Sequence, residues 1–236
     1  MNLKFSRILF KVSGEALADQ NGFGINKNSL EIFCQQISKV QKKGLEIALV
    51  VGGGNFWRAR DFKNLNIERT QSDQIGMVAT SLNGLVLKSY FQTKGIKSKI
   101  FSAKNINGSI NPYEKEKVLK DLKKGHIIIF TGGTGHPFFT TDSAAVLRGI
   151  EIEADVILKG TKVDGIYSSN PEKDKNAFKI DKLTFEEALQ KKLKVIDQTA
   201  FALLLEKRIP LIVFNIFQKN ALEKIISQQK IGSLVY

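Results

Sequence analysis

Apolar and polar positions alternate along this chain with a period that switches between two and about 3.6 residues. That switching marks strands interleaved with amphipathic helices. Strand-like runs fall at Arg7–Val12, Leu45–Val51, Lys97–Phe101, His126–Phe130, Asp155–Lys159 and Leu211–Phe214. Leu30, Phe33, Cys34, Ile37 and Val40 form one helical stripe, and Gly44 after it supplies a left-handed stop. A longer helix is expected from Ser72 to Lys94, ended by Gly95, and Thr184-Phe185-Glu186-Glu187 has capping-box spacing at the head of another. This alternation predicts an α/β fold: a three-layer αβα sandwich around a mainly parallel open sheet. No stretch reads as a linker, so residues 1–236 are expected to form a single domain. Asp164–Lys182, rich in Asn, Ser, Lys and Asp, reads as an irregular excursion from the sheet.

Composition narrows the setting. Hydrophobic residues at 42% and charged residues at 25% are ordinary for a globular protein. A lone cysteine, Cys34, excludes an internal disulfide and points to a reducing compartment. It reads as a small buried hydrophobe, with a reactive thiol as the alternative. No apolar run approaches the roughly 20 residues of a membrane span, and Lys4, Arg7 and Lys11 interrupt the apolar N-terminus, unlike a signal peptide. A cytoplasmic location without a membrane partner is expected. The 36 basic and 23 acidic residues leave a charge of +13. The signs are interleaved in Glu114-Lys115-Glu116-Lys117 and Lys120-Asp121, and only Lys191-Lys192-Leu193-Lys194 is a compact basic group. No nucleic-acid-binding signature accompanies it, so no nucleic-acid partner is expected; the surplus suits small anionic substrates.

The glycines carry the chemistry. The first strand ends in Lys11-Val12-Ser13-Gly14, the second in Gly52-Gly53-Gly54-Asn55, and the fourth in Thr131-Gly132-Gly133-Thr134-Gly135-His136-Pro137. Ligands of open parallel sheets bind beyond the carboxyl ends of the strands, where glycine lets backbone N–H groups approach a phosphate. Three such loops exceed what one nucleotide needs. There is no P-loop, no G-x-G-x-x-G, no zinc set and no serine-hydrolase elbow. What remains is phosphate chemistry run by lysine, arginine, glycine amides and solvent Mg²⁺, where positioning and charge neutralisation suffice.

The chain resembles the bacterial uridylate kinases of the amino-acid kinase superfamily from about Arg7 onward. The resemblance rests on Lys11-Val12-Ser13-Gly14-Glu15-Ala16-Leu17, Gly22-Phe23-Gly24-Ile25, Gly52-Gly53-Gly54-Asn55, Asp73, Pro137 to Ala145, Leu147 to Glu151, and Thr161 to Gly165. It implies transfer of the γ-phosphoryl group of ATP to UMP in pyrimidine nucleotide synthesis. It also implies ATP contacts at Lys11, Val12, Ser13, Gly14, Gly54, Arg58, Thr161, Tyr167 and Asn170. UMP contacts would be Gly53, Asp73, Thr134, Gly135, His136, Pro137, Phe138, Phe139, Thr140 and Thr141. The segment Asn21, Gly22, Phe23, Gly24, Ile25, Asn26 matches the stretch linked to activation by GTP. Inhibition by UTP and a homohexamer are likewise implied.

Lys11 and Lys159, at two strand ends, are candidates for screening donor and acceptor phosphates. Asp142 would hold the ammonium groups in place or merely cap the helix it precedes. Asp73 has the same two readings, as a ribose acceptor or as a cap for the Ser72–Lys94 helix. Arg58 offers a planar fork for phosphate, or an ordinary surface ion pair. The chain departs from the family pattern at Phe56-Trp57, Ala59, His136, Asn26 and Asn170. Within enzymes, the rival is another member of the superfamily, such as an amino-acid or carbamate kinase, against which the Pro137–Ala145 segment argues. Outside enzymes, it is a non-catalytic nucleotide-sensing or nucleic-acid-binding protein on the same fold, which expects Lys11 or Asp142 to be lost, and both are present.

Overall fold

The six apolar runs become the long strands of one sheet, each within two residues of its expected bounds. The computed structural model describes residues 5–236 apart from 20, 107, 172, 192 and 194, so Lys4, Lys192 and Lys194 lie outside the described residues. In chain order the elements are β1 (Arg7–Val12), α1 (Lys27–Gln41), β2 (Glu46–Val51), α2 (Arg69–Thr93), β3 (Ser98–Ser102), β4 (Asn111–Pro112) and α3 (Lys115–Lys123). There follow β5 (Ile127–Thr131), α4 (Thr141–Glu151), β6 (Val156–Thr161), β7 (Ile166–Tyr167), β8 (Lys179–Ile180), β9 (Lys182–Leu183), α5 (Phe185–Gln190) and α6 (Gln198–Lys207). β10 (Leu211–Asn215), α7 (Ala221–Ile226) and β11 (Ser233–Val235) complete the chain.

The sheet runs β4-β3-β5-β2-β1-β6-β10-β11-β9 and is parallel except where β11 turns back along β10. Alternation along β1 splits the core. Ile8, Phe10 and Val12 pack with apolar residues of α1, α2 and α7, whereas Leu9 packs with those of α3, α4, α5 and α6. Helices therefore cover both faces, giving three layers. The chain leaves β1 toward β2 on one side and returns through β6 on the other. The loops after β1 and β6 thus diverge at a switch point, where open parallel sheets bind ligands. The Asp164–Lys182 excursion carries the small β7–β8 hairpin, docked by Ile166 N–H on Ser233 Oγ at 2.8 Å.

The long helix starts at Arg69, not Ser72, with Glu68 as its N-cap residue. Asp73 therefore lies in the second turn, beyond reach of the helix's free N–H groups, and its capping reading fails. Cys34 faces the core beside Phe33 and Ile37, and burial pushes its thiol up to about 12, so it is a packed hydrophobe and no nucleophile.

Candidate active site

Parallel register dictates the centre of the site. Lys11 on β1 lies directly beside Lys159 on β6, and two residues before each, Leu9 and Ile157 face α4. Side chains two apart share a face, so both ammonium groups project toward the N-terminus of α4. There Asp142 meets them, with Oδ1 2.9 Å from Lys11 Nζ and Oδ2 2.7 Å from Lys159 Nζ. All three side chains are mostly buried, at 12%, 14% and 18% exposure for Lys11, Asp142 and Lys159. Asp142 is not the helix cap. Thr140 is, its hydroxyl accepting from the Asp142 and Ser143 N–H groups, which frees the Asp142 carboxylate for the lysines.

Burial pushes the Asp142 carboxyl up, but the Lys11 and Lys159 charges outweigh it and hold it below the usual carboxylate value. Burial pulls Lys159 below the ordinary lysine value and the Lys11 charge adds to that, against the attraction of Asp142 and Asp197. Lys159 also donates to the Val195 carbonyl at 2.8 Å. Two ammonium groups held around one carboxylate in a shielded place are poised for phosphate.

Asp197 is a member of this cluster that the sequence reading missed. It caps α6 through the Ala200 N–H at 2.9 Å, accepts from Ser143 Oγ at 3.0 Å, and accepts from the Thr140 hydroxyl. One carboxylate thereby joins the N-termini of α4 and α6. The only sequence signal was an N-cap pattern at Asp197-Gln198-Thr199-Ala200; its partners are 54 and 57 residues away.

The three glycine loops border the lysines. Gly14 is pressed against the second loop, where an added Cβ would stand 2.8 Å from Gly54 N and 2.3 Å from Asn55 Oδ1. Gly53 packs on α2, where a Cβ would stand 2.8 Å from the Gly76 carbonyl. Gly132, Gly133 and Gly135 all have positive φ, at 75°, 58° and 86°, which side chains rarely adopt. A cavity of about 170 Å³ lies between these loops, lined by Gly53, Asp73, Gly133, Phe139 and Thr141 among others. Asp73 Oδ2 accepts from the Phe138 N–H at 2.8 Å and from Arg69 Nε at 2.8 Å. Phe138 is exposed and held at φ 71°, a strained conformation for an aromatic residue beside the cavity. Thr134 and His136 close a tight turn, the Thr134 hydroxyl accepting from the His136 N–H at 3.2 Å.

Arg58 is already engaged. Its guanidinium donates to the Gly54 carbonyl at 2.5 Å and the Gly22 carbonyl at 3.2 Å, and lies 3.2 Å from Glu15. It bridges the Asn21–Asn26 loop to the second glycine loop. Asn55 repeats the bridge by donating to the Gly24 carbonyl at 2.7 Å, and Phe23 meets Phe56 edge-on. Asn26 caps α1 by accepting from the Ser29 N–H at 3.0 Å, a task for which asparagine and aspartate are equally suited. Thr161 ends β6 with its hydroxyl on Val163, while Tyr167 and Asn170 lie in the excursion beyond, with Tyr167 Oη on Asp164 at 2.6 Å. A larger cavity of about 550 Å³ opens at the other end of the sheet, among Lys39, Tyr90, Lys94 and Lys97, away from all these residues.

The amino acid kinase family matches residues 6–215. A curated uridylate kinase of Bacteroides thetaiotaomicron is 42% identical over 233 residues, covering 99% of each chain. Two solved UMP kinases superpose closely. That of Bacillus anthracis has a TM-score of 0.95 at 33% identity, with 98% of this chain and 96% of its own covered. That of Ureaplasma parvum has 0.93 at 36%, with 99% of both covered.

Proposed function

We propose, from the premise that the chain belongs to the uridylate kinases of the amino acid kinase family, that it transfers the γ-phosphoryl group of ATP to UMP. The observation that carries the reading is the Lys11–Asp142–Lys159 cluster, set between glycine loops at the sheet's switch point. A UMP phosphate oxygen attacks the γ-phosphorus while the bond to the β-phosphate oxygen of ADP breaks. The phosphate monoester of UMP is largely dianionic at neutral pH, its second pKa being about 6, so no general base is required. Asp142, paired and deprotonated, holds the lysines and moves no proton.

Lys11 and Lys159 would neutralise charge spreading over the transferred group, worth most in a shielded site. Gly14 and Gly54 would admit the ATP phosphates close to backbone N–H groups, with Thr161, Tyr167 and Asn170 beyond. The cavity beside Asp73 and the Thr134–Thr141 turn would hold UMP, Asp73 serving a ribose hydroxyl. Magnesium would enter bound to ATP, whose phosphates supply its oxygen ligands. Among the described residues no group of three or more His, Cys, Asp or Glu is placed to hold a metal. A coupled assay of ADP formation against UMP, CMP, AMP, GMP and glutamate tests the reading. Strong preference for UMP is expected, and equal turnover of CMP or glutamate would contradict it.

The finer features are proposed on separate grounds. Activation by GTP fits the bridges that Arg58 and Asn55 make from the Asn21–Asn26 loop to the Gly52–Gly54 loop, through which a shift in one moves the other. Inhibition by UTP would act through the same uridine pocket, which the glycine loops border. A homohexamer fits the row of exposed Ile75, Val78 and Leu82 on α2, an apolar face suited to a second copy. A cytoplasmic place in pyrimidine nucleotide synthesis fits the substrates, and no described helix is long and apolar enough to cross a membrane.

A further inference from the structure

The inward face of α2 is unusual for a helix lying on a sheet. Where apolar side chains would ordinarily pack, Ser72, Thr80 and Asn83 are buried, and glycines stand at 76 and 84. Each polar member grips the backbone or side chain of a loop. Trp57 Nε1 donates to Ser72 Oγ at 2.9 Å, and Asn83 Nδ2 donates to the Gly52 carbonyl at 2.7 Å. Thr80 Oγ1 donates to the Met77 carbonyl at 2.6 Å and accepts the Gly132 N–H at 2.7 Å. Gly84 brings the helix down on the end of β5, since a Cβ there would stand 2.4 Å from Thr131 Cγ2. Gly53 does the same from the other side, where its Cβ would stand 3.0 Å from Thr80 N. A single turn of α2 is thus wedged between the loop after β2 and the loop after β5.

We propose that Thr80 is a positioning residue for the acceptor phosphate. Its hydroxyl fixes the orientation of the Gly132 peptide, and with it the distance of Gly133 and the Thr134–Thr141 turn from the Gly53 loop. The inference rests on the assignment of that turn to UMP. Gly132 has φ 75° and is confined, a Cβ there standing 2.8 Å from Ser102 Oγ. Its N–H is buried and donates to Thr80 Oγ1, which therefore decides which way the peptide faces. Asn83 and Asn55 hold the Gly52–Gly54 loop independently, through the Gly52 carbonyl and a reciprocal amide pair at 2.7 and 3.0 Å. Loss of the Thr80 hydroxyl should therefore disturb the acceptor side and spare the ATP side. Small misplacements of reacting groups are costly to rate and affinity.

The test is steady-state kinetics on wild type, Thr80→Ser and Thr80→Val, titrating UMP and ATP separately. Serine keeps the hydroxyl, whereas valine keeps the shape and loses it. Thr80→Val is expected to raise the KM for UMP about tenfold or more, with the KM for ATP within about twofold and Thr80→Ser close to wild type. An unchanged UMP KM in folded Thr80→Val overturns the proposal, whatever its melting temperature. So does an equal rise in both KM values, or a Thr80→Ser enzyme as impaired as Thr80→Val. Should Thr80→Val not fold, Thr80→Ala carries the same comparison. Failure of both to fold would make the hydroxyl a folding determinant and overturn the positioning role. A wild type that does not phosphorylate UMP refutes the assigned reaction instead.

Discussion

Replacing Asp142 by asparagine removes the one anion between two ammonium groups and changes little else. The side chain keeps its size, and the cap of α4 stays with Thr140. The carboxylate lies 2.9 and 2.7 Å from Lys11 and Lys159, all three mostly shielded from water. Breaking a buried pair by removing one partner costs about 3–5 kcal/mol. At roughly 2–4 °C per kcal/mol for a chain of this size, melting should fall by roughly 6–20 °C near neutral pH. The pH dependence identifies the cause. In the wild type the lowered Asp142 pKa contributes stability that is present above the ordinary carboxylate value and lost as pH falls through its folded value. Wild type and variant should therefore converge in acid. Lys159 slopes the same way in a higher pH window: its lowered pKa leaves a penalty at low pH that is relieved as pH rises from its folded value toward the ordinary lysine value. Without Asp142 that folded value drops further, so the variant should gain stability with rising pH over a wider alkaline span than wild type. Turnover should fall about 10²-fold or more, as when a transition-state donor is lost. Thermal melts across pH, with UMP-dependent turnover at neutral pH, check this. Unchanged melting, or a deficit independent of pH, would refute the electrostatic account of the cluster.

Lys11→Ala should lower kcat by roughly 10²-fold or more in a folded protein, because Lys159 would then be the sole ammonium on Asp142; near-normal kcat would remove its role. Asp73→Ala should raise the KM for UMP about ten- to a hundredfold and leave that for ATP nearly unchanged, the effect of losing a charged acceptor worth about 1.5–3 kcal/mol. Because Asp73 does not cap α2, a stability loss of capping size with normal UMP kinetics would contradict its placement. Asn26→Ala should cost about 1 kcal/mol in a denaturant melt, while Asn26→Asp should melt like wild type, since both Asn and Asp cap helices well.

The long strands were legible because a strand buried on both faces must be an unbroken apolar run, as Ile127–Phe130 is. The two- and three-residue strands β4, β7, β8, β9 and β11 lacked the length to show a period and depend on partners far away in sequence. The start of α2 was misplaced because its first turn, Arg69-Thr70-Gln71-Ser72, carries no apolar stripe. Its inward polar row escaped notice for the same reason, since its partners Gly52 and Gly132 are tertiary. Glycine clusters revealed the site's edge, because only glycine tolerates such close backbone approach. The meeting of Lys11 with Lys159 required the β1–β6 register, which no local pattern contains. Capping also misled at α4, where three successive polar residues, Thr140, Thr141 and Asp142, each qualify as a cap and only geometry selects Thr140.

The central claim is that one phosphoryl group passes directly from ATP to UMP. Phosphorus NMR of the protein with Mg²⁺, ATP and UMP follows both products in one tube. The account predicts that the β-phosphorus signal of UDP grows in step with that of ADP, one for one, with no growth of inorganic phosphate and none of either product when UMP is omitted. ADP accompanied by inorganic phosphate in place of UDP, or ADP formed equally well without UMP, would contradict it.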